Sequence, residues 1–436
     1  MTQGKLESSL RWLLLAIVCH LTFAADGMAG SISALYTFHG NISSQNDGYD
    51  PMAGLVSDSS GNLYGTNWFG GDVACYSGRG PDYGCGTVFE LKRTKNGWRE
   101  ETLHAFLGGS DGALPFAGLT IDHEGRLYGT TMVGGSKGCR GYGCGTVFKL
   151  TRTSSGSWQE TVLHSFHKYG EGQNPYAALT LDARGNLYGT TFGGGLYSGG
   201  CDVGCGVVFQ LAPDRAGKWK ERVLYRLTSN GNPIGGVVFD AAGSLYGATG
   251  GCDGCGNGEV FMLKPSKGTW IPTILYYFPG GSAGFGSDAS LVLDKSGNLY
   301  GTTPFGGGCN GLGCGAVFEL TQTSGGQWNE NILHAFAGGI DGVQPEGSLI
   351  FGSDGSLYGT TVWGGGSLVC QLGCGTVFKL TSSGSGWSET LLYGFPGGRE
   401  GYAPYSGVIL DTYGNIYGTA AGGGEFYSGL VYEITP

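Results

Sequence analysis

The string Leu/Ile-Tyr-Gly recurs with its tyrosine at Tyr64, Tyr128, Tyr188, Tyr246, Tyr300, Tyr358 and Tyr417, at spacings of 64, 60, 58, 54, 58 and 59 residues. A second string, Val-Phe-x-Leu, places its phenylalanine at Phe89, Phe148, Phe209, Phe261, Phe318 and Phe378, and Val431-Tyr432-Glu433-Ile434 supplies a seventh variant. A third begins at Trp98, Trp158, Trp219, Trp270, Trp328 and Trp387 and runs on into Leu-His/Tyr-x-Phe/Leu. This third string is displaced, because its seventh copy, Leu35-Tyr36-Thr37-Phe38, stands before all the other units. Internal repetition at this period overrides any domain count drawn from length.

Each unit reads as four short strands. In the second unit they are Phe116 to Asp122, Arg126 to Thr131, Gly145 to Leu150 and Trp158 to Phe166. Short runs rich in Val, Leu, Tyr, Phe and Thr, bounded by Gly, Asp and Asn, are strand and turn chemistry. Asp-x-x-Gly turns, such as Asp58 to Gly61 and Asp122 to Gly125, join the first two strands, and their aspartates are expected to bond their own turns. Seven four-stranded units predict an all-β, seven-bladed β-propeller. The blades span about 52–106, 116–166, 176–227, 234–278, 289–336, 347–395 and 405–434, the last completed by residues 32–38. Both chain ends then share the last sheet, which closes the ring and removes an exposed edge. A transmembrane barrel fits poorly, since its strands need about 9–11 residues.

Composition agrees. Glycine supplies 90 of 436 residues, yet aromatics at 12% and hydrophobics at 40% allow a packed interior, and no Gly-X-Y period appears. A net charge of −10 argues against nucleic acid as a partner. Lys5 and Arg11 precede an apolar run, Trp12 to Val18 continuing through Leu21 to Phe23, which ends at Ala24 and Ala25. Residues 1–25 read as a secretory signal peptide, leaving residues 31–436 as one propeller without a membrane span. A secreted or periplasmic monomer is expected.

Phrases such as Gly61-Asn62-Leu63-Tyr64-Gly65-Thr66 and Gly145-Thr146-Val147-Phe148-Lys149-Leu150 resemble the secreted bacterial family of choice-of-anchor tandem repeat GloVer-containing proteins. The resemblance covers essentially all of residues 31–436. It implies an extracytoplasmic bacterial protein with a propeller-like repeat, and it brings no catalytic residues with it.

Apart from Cys19 in the signal segment, the cysteines fall into six local pairs: Cys75 with Cys85, Cys139 with Cys144, Cys201 with Cys205, Cys252 with Cys255, Cys309 with Cys314, and Cys370 with Cys374. In an exported chain such pairs predict disulfides. Zinc is the rival, since Cys252-Asp253-Gly254-Cys255 resembles half a site, but pairs on different blades stand too far apart to share one ion.

In a propeller the second-to-third and fourth-to-first strand connections share one face, which here gathers the long Gly- and Cys-rich loops. That face also carries an acid-Gly-x-x-Pro pattern: Asp47 before Pro51, Asp111 before Pro115, Glu171 before Pro175, Asp341 before Pro345 and Glu400 before Pro404. The fourth unit has Asn230-Gly231 before Pro233, and the fifth breaks the pattern around Ser287 and Asp288. Two readings stay open. The five carboxylates ring the channel mouth and hold Ca²⁺ or sugar hydroxyls, with Tyr76, Tyr83, Tyr142, Tyr197 and Phe426 as stacking platforms; or they set turns before a stiffening proline.

Catalytic motifs are missing: no Gly-x-Ser-x-Gly elbow leading from a strand into a helix, no His-Glu-x-x-His and no phosphate loop. His104, His164 and His334 share their slot with Tyr36, Tyr225, Tyr276 and Tyr393, which reads as packing by an amphipathic ring. The sequence therefore points to a binding or scaffold module for a glycan or an extracellular protein, with no cofactor required. Its alternatives are a polysaccharide hydrolase or lyase using channel carboxylates, and an adhesive envelope protein.

Overall fold

The computed structural model describes residues 31–40, 46–71, 75, 83–167, 170–197, 201, 203–228, 231–251, 256–281, 284–309, 313–384 and 386–435. The expected signal peptide, Tyr76 and the Cys252/Cys255 pair lie outside these. Among the described residues no helix is long and apolar enough to cross a membrane.

Seven four-stranded antiparallel sheets form a seven-bladed β-propeller. In the second blade the strands run, from the inside outward, Thr120–Ile121, Leu127–Thr131, Thr146–Arg152 and Trp158–Ser165. The last blade combines Ile409–Leu410, Ile416–Ala420 and Leu430–Thr435 with the N-terminal Ser31–Thr37, which pairs Ser31 with Thr435 and Thr37 with Leu430. The displaced third string is thus the outer strand of the final sheet, as its position predicts.

One expectation needs correction. The innermost strand was expected over Phe116 to Asp122, and only Thr120–Ile121 pairs in the sheet. Among the described residues no strand lies inward of it, Leu114 turns the chain at φ +60°, and Pro115 has no N–H to donate, so residues 116–119 wall the channel instead.

The repeated strings are reciprocal contacts. Leu127 is fully buried, and the Tyr128 hydroxyl donates to Asp122 at 3.0 Å, tying its strand to the preceding turn. A Cβ on Gly129 would fall 2.5 Å from Cζ of Phe148, so the Tyr-Gly of one strand and the Val-Phe of the next must occur together. The threonine that follows reaches the neighbouring blade: Thr66, Thr130, Thr190, Thr302, Thr360 and Thr419 donate to the carbonyls of Ala117, Ala177, Gly235, Gly347, Ser406 and Ala53 at 2.7–3.5 Å. The bond from Thr419 to Ala53 joins the last blade to the first. The fourth unit has Ala248 in this slot, and there Ser287 Oγ donates to Ala289 O at 3.2 Å.

Between blades, the outer-strand phenylalanine of one packs edge-on against the Val-Phe ring of the next. Phe38 meets Phe89, Phe106 meets Phe148, Phe166 meets Phe209, Phe278 meets Phe318, Phe336 meets Phe378, and Phe395 meets Tyr432, at centroid distances of 5.0–5.3 Å. Leu227 fills the remaining seam against Phe261. Because Phe148 is 0% exposed, it has no room to retreat from an added methyl. Gly129→Ala is expected to cost about 1–3 kcal/mol as overpacking, read as a lower denaturant midpoint at unchanged slope.

Candidate functional site

The channel wall is built from loops that cross from one blade to the next. Five residues directly before the loop proline take positive φ: Asp50, Leu114, Asn174, Gln344 and Ala403, at 55–60°. Each N–H is held by a carbonyl of the preceding blade. Leu114 bonds Cys85, Asn174 bonds Cys144, Gln344 bonds Cys314, and Ala403 bonds Cys374, at 2.7–2.9 Å. Asp50 uses Ser428 at 3.1 Å, because the seventh unit has no cysteine there. The glycine after each of these cysteines leaves space for the proline of the next blade, since a Cβ on Gly145 would lie 2.6 Å from Pro175 Cδ.

The disulfides therefore anchor the channel wall. Five of them join Cys75–Cys85, Cys139–Cys144, Cys201–Cys205, Cys309–Cys314 and Cys370–Cys374, with Cα separations of 5.2–5.8 Å.

The residue after the proline in each unit points into a central cavity of ≈ 740 Å³. Around the ring these are Met52, Phe116, Tyr176, Ile234, Asp288, Glu346 and Tyr405, all half-buried. The fifth unit has Ser287 in place of the proline, so Asp288 occupies the same slot. Smaller residues, including Gly54, Gly118, Ser290 and Ser348, line the cavity between them.

The ring is polarised. On one side Trp68, Phe116, Tyr176 and Phe192 form a continuous aromatic arc, with successive centroids 5.5, 5.2 and 5.2 Å apart. On the other side stand Asp288 and Glu346, on adjacent blades, with Tyr405 next in order. Burial raises the Asp288 carboxyl to about 6. Burial, reinforced by the Asp288 charge, raises Glu346 to about 7. Burial alone lifts Asp50, at the seam between the last and first blades, to about 6.

The five carboxylates singled out from the sequence occupy different places, and none lines this cavity. Each of four is held against the outer strand that precedes it in the chain. Asp47 accepts from the Tyr36 hydroxyl at 2.5 Å and from the His39 amide at 2.9 Å. Asp111 lies 3.2 Å from His104 Nε2 and accepts from the Leu107 amide at 2.7 Å. Asp341 lies 2.9 Å from His334 Nε2 and accepts from the Ala337 amide at 2.6 Å. Glu400 accepts from the Tyr393 hydroxyl at 3.5 Å. Glu171 sits within electrostatic range of Glu221 on the next blade.

A third group completes these rim contacts: a glutamate two residues after the outer-strand tryptophan of the following blade. Burial raises Glu160 to about 7, with the Asp111 charge adding to it, and Glu389 to about 7 beside Asp341. Glu221 is raised to about 7 in the same way beside Glu171. The Tyr-or-His slot does pack: His104, His164 and His334 each stand edge-on to a phenylalanine at 4.7 Å. It also supplies a partner for the acid, which the sequence reading missed.

Of the proposed stacking platforms, Tyr83, Tyr142 and Tyr197 are about half exposed, at 46%, 47% and 50%, whereas Phe426 lies against the His39 ring at 4.5 Å. Among the described residues no group of three or more His, Cys, Asp or Glu side chains comes together to hold a metal ion.

Fold and cavity together define a seven-bladed β-propeller with a polarised central pocket. The chain belongs to the Gloeobacter/Verrucomicrobia repeat family, whose pattern it matches over residues 21–201, 75–314 and 290–436. No curated protein matches it. Among solved structures it is similar to a fungal alcohol oxidase in complex with copper, at 14% identity over 94% of this chain and 76% of that one, with a TM-score of 0.53. It is also similar to a gluconolactonase from Xanthomonas campestris, at 14% identity over 77% of this chain and 87% of that one, with a TM-score of 0.39. At such identities the likeness concerns the fold alone.

Proposed function

We propose that this is an extracytoplasmic glycan-binding propeller whose ligand occupies the central cavity. The observation that carries the reading is the division of one ring of equivalent positions into an aromatic side, Phe116 and Tyr176, and a carboxylate side, Asp288 and Glu346. Sugar rings present apolar C–H faces that stack on aromatic side chains and hydroxyls that donate to carboxylates. A concave site with an apolar wall and a few convergent polar groups is the usual form of a small-ligand pocket. The five disulfides support placement outside the cytoplasm.

The test is calorimetric titration of the oxidised protein with soluble oligosaccharides. Binding is expected, and Tyr176→Ala and Phe116→Ala should each weaken it by about tenfold or more, the cost of one lost stacking contact. Wild-type affinity in both variants would remove the cavity from consideration.

A second reading, glycoside hydrolysis, is favoured by one observation: Glu346 is raised to about 7 beside a second carboxylate, the pattern of a general acid with its partner. Release of new reducing ends from a bound oligosaccharide, lost in Glu346→Gln, would establish it. Binding without release leaves the pocket as a recognition site.

A further inference from the structure

Among the described residues Asp288 and Glu346 are the only charged side chains lining the central cavity, with no Lys, Arg or His in its walls. Among the described residues neither has a hydrogen-bond or ion-pair partner in the protein. The rim acids differ in this respect, since Asp47, Asp111, Asp341 and Glu400 each accept at least one hydrogen bond from the preceding outer strand or the loop that follows it. Two carboxylates on adjacent blades, facing a confined cavity without a compensating cation, are costly to keep ionised. Protonation relieves that cost, and so does positive charge brought by a ligand, which holds both groups ionised instead.

The opposite wall fits the same ligand. Phe116 and Tyr176 line that wall edge to face at 5.2 Å, and an aromatic π-face attracts both a cation and the polarised C–H bonds beside an ammonium group. An anionic glycan meets the reverse situation, two like charges and no cation, which is a repulsive selection against uronic or sulfated sugars.

Building on the glycan reading above, we infer that the sugar taken by this cavity carries a protonated amino group, as glucosamine units do, with the ammonium seated between Asp288 and Glu346 and the pyranose face on the Phe116–Tyr176 arc. Charge-assisted bonds from the ammonium to both carboxylates then supply the selectivity, and stacking supplies affinity shared with neutral sugars.

Calorimetry with tetramers of glucosamine, N-acetylglucosamine and glucose, and with choline chloride, separates the possibilities. The glucosamine tetramer is expected to bind at least about tenfold more tightly than its acetylated and neutral counterparts. Asp288→Asn and Glu346→Gln should each erase most of that preference, bringing the glucosamine tetramer to within about threefold of the glucose tetramer measured on the same variant. Both substitutions remove an uncompensated charge, and a thermal scan checks that the variants fold. Equal affinity for all three tetramers would overturn the amine inference and leave the glycan reading standing. No binding of any tetramer would overturn both. Choline binding as tight as the glucosamine tetramer would replace the sugar with a simple organic cation.

Discussion

Raising the pH from about 5 to about 8 lowers the melting temperature of this protein, by on the order of 5–10 °C. Glu100, Glu160, Glu221, Glu330, Glu346 and Glu389 are each raised to about 7, with burial as the leading cause, and Asp50 and Asp288 to about 6. In the unfolded chain glutamate loses its proton near 4.3 and aspartate near 3.9. Between those values and about 7 the native state binds more protons than the unfolded one, so stability falls as pH rises through that window and levels off above it. The acid side carries the opposite sign. Burial, with the His167 charge, depresses His164 to about 4, so its contribution is lost as pH drops from about 6.5. For Asp341 the His334 and Ala337 hydrogen bonds outweigh burial and hold the carboxyl low, and the Lys379 contact holds Asp354 at about 2. These leave an optimum near pH 5. Scanning fluorimetry at constant ionic strength checks it, and Glu160→Gln with Glu389→Gln should flatten the slope. A melting temperature that is level or rising from pH 5 to 8 would show that these glutamates ionise freely in the fold.

Removing residues 31–38 should cost more than any single substitution, because it strips the outer strand from the last sheet. The strand Leu430–Thr435 would then present an unpaired edge, and Phe89 would lose the Phe38 ring packed 5.0 Å away. Loss of a cooperative transition, or aggregation, is the expected outcome. Phe38→Ala tests the same seam in a chain that keeps its strand. As Phe38 is 0% exposed, the cost should be about 3–5 kcal/mol by denaturant unfolding. A truncated chain as stable as the full one would mean that the ring does not depend on its clasp.

The seven units, the displaced strand and the local cysteine pairs were legible because each is a motif repeated with its partners. Tyr128, Gly129 and Phe148 recur together since one Cβ or one missing ring would break the contact. The same repetition misled the search for a site. Asp111, Asp341 and their equivalents recur because a turn needs them, and the structure ties them to His104 and His334 seven residues earlier, a spacing that crosses a loop and matches no standard pattern. Glu346 went unread, and Asp288 registered only as a break in the pattern, because each occurs once. Their signal was a departure within a column: the slot after the proline holds Met52, Phe116, Tyr176 and Ile234, then two acids on consecutive units. The role of the cysteine carbonyls was not legible, because Cys144 and Asn174 belong to different units and meet only across a seam. In a repeat protein the repeated residues hold the ring together, and the exceptions are where a ligand is to be sought.

The most direct test is a crystal structure of the oxidised protein soaked with the glucosamine tetramer. The account predicts sugar density in the central cavity, a ring stacked on Phe116 or Tyr176 and an amine within hydrogen-bond distance of Asp288 and Glu346. Ordered sugar on the rim beside Asp111 and Asp341, with the cavity holding only water, would contradict it.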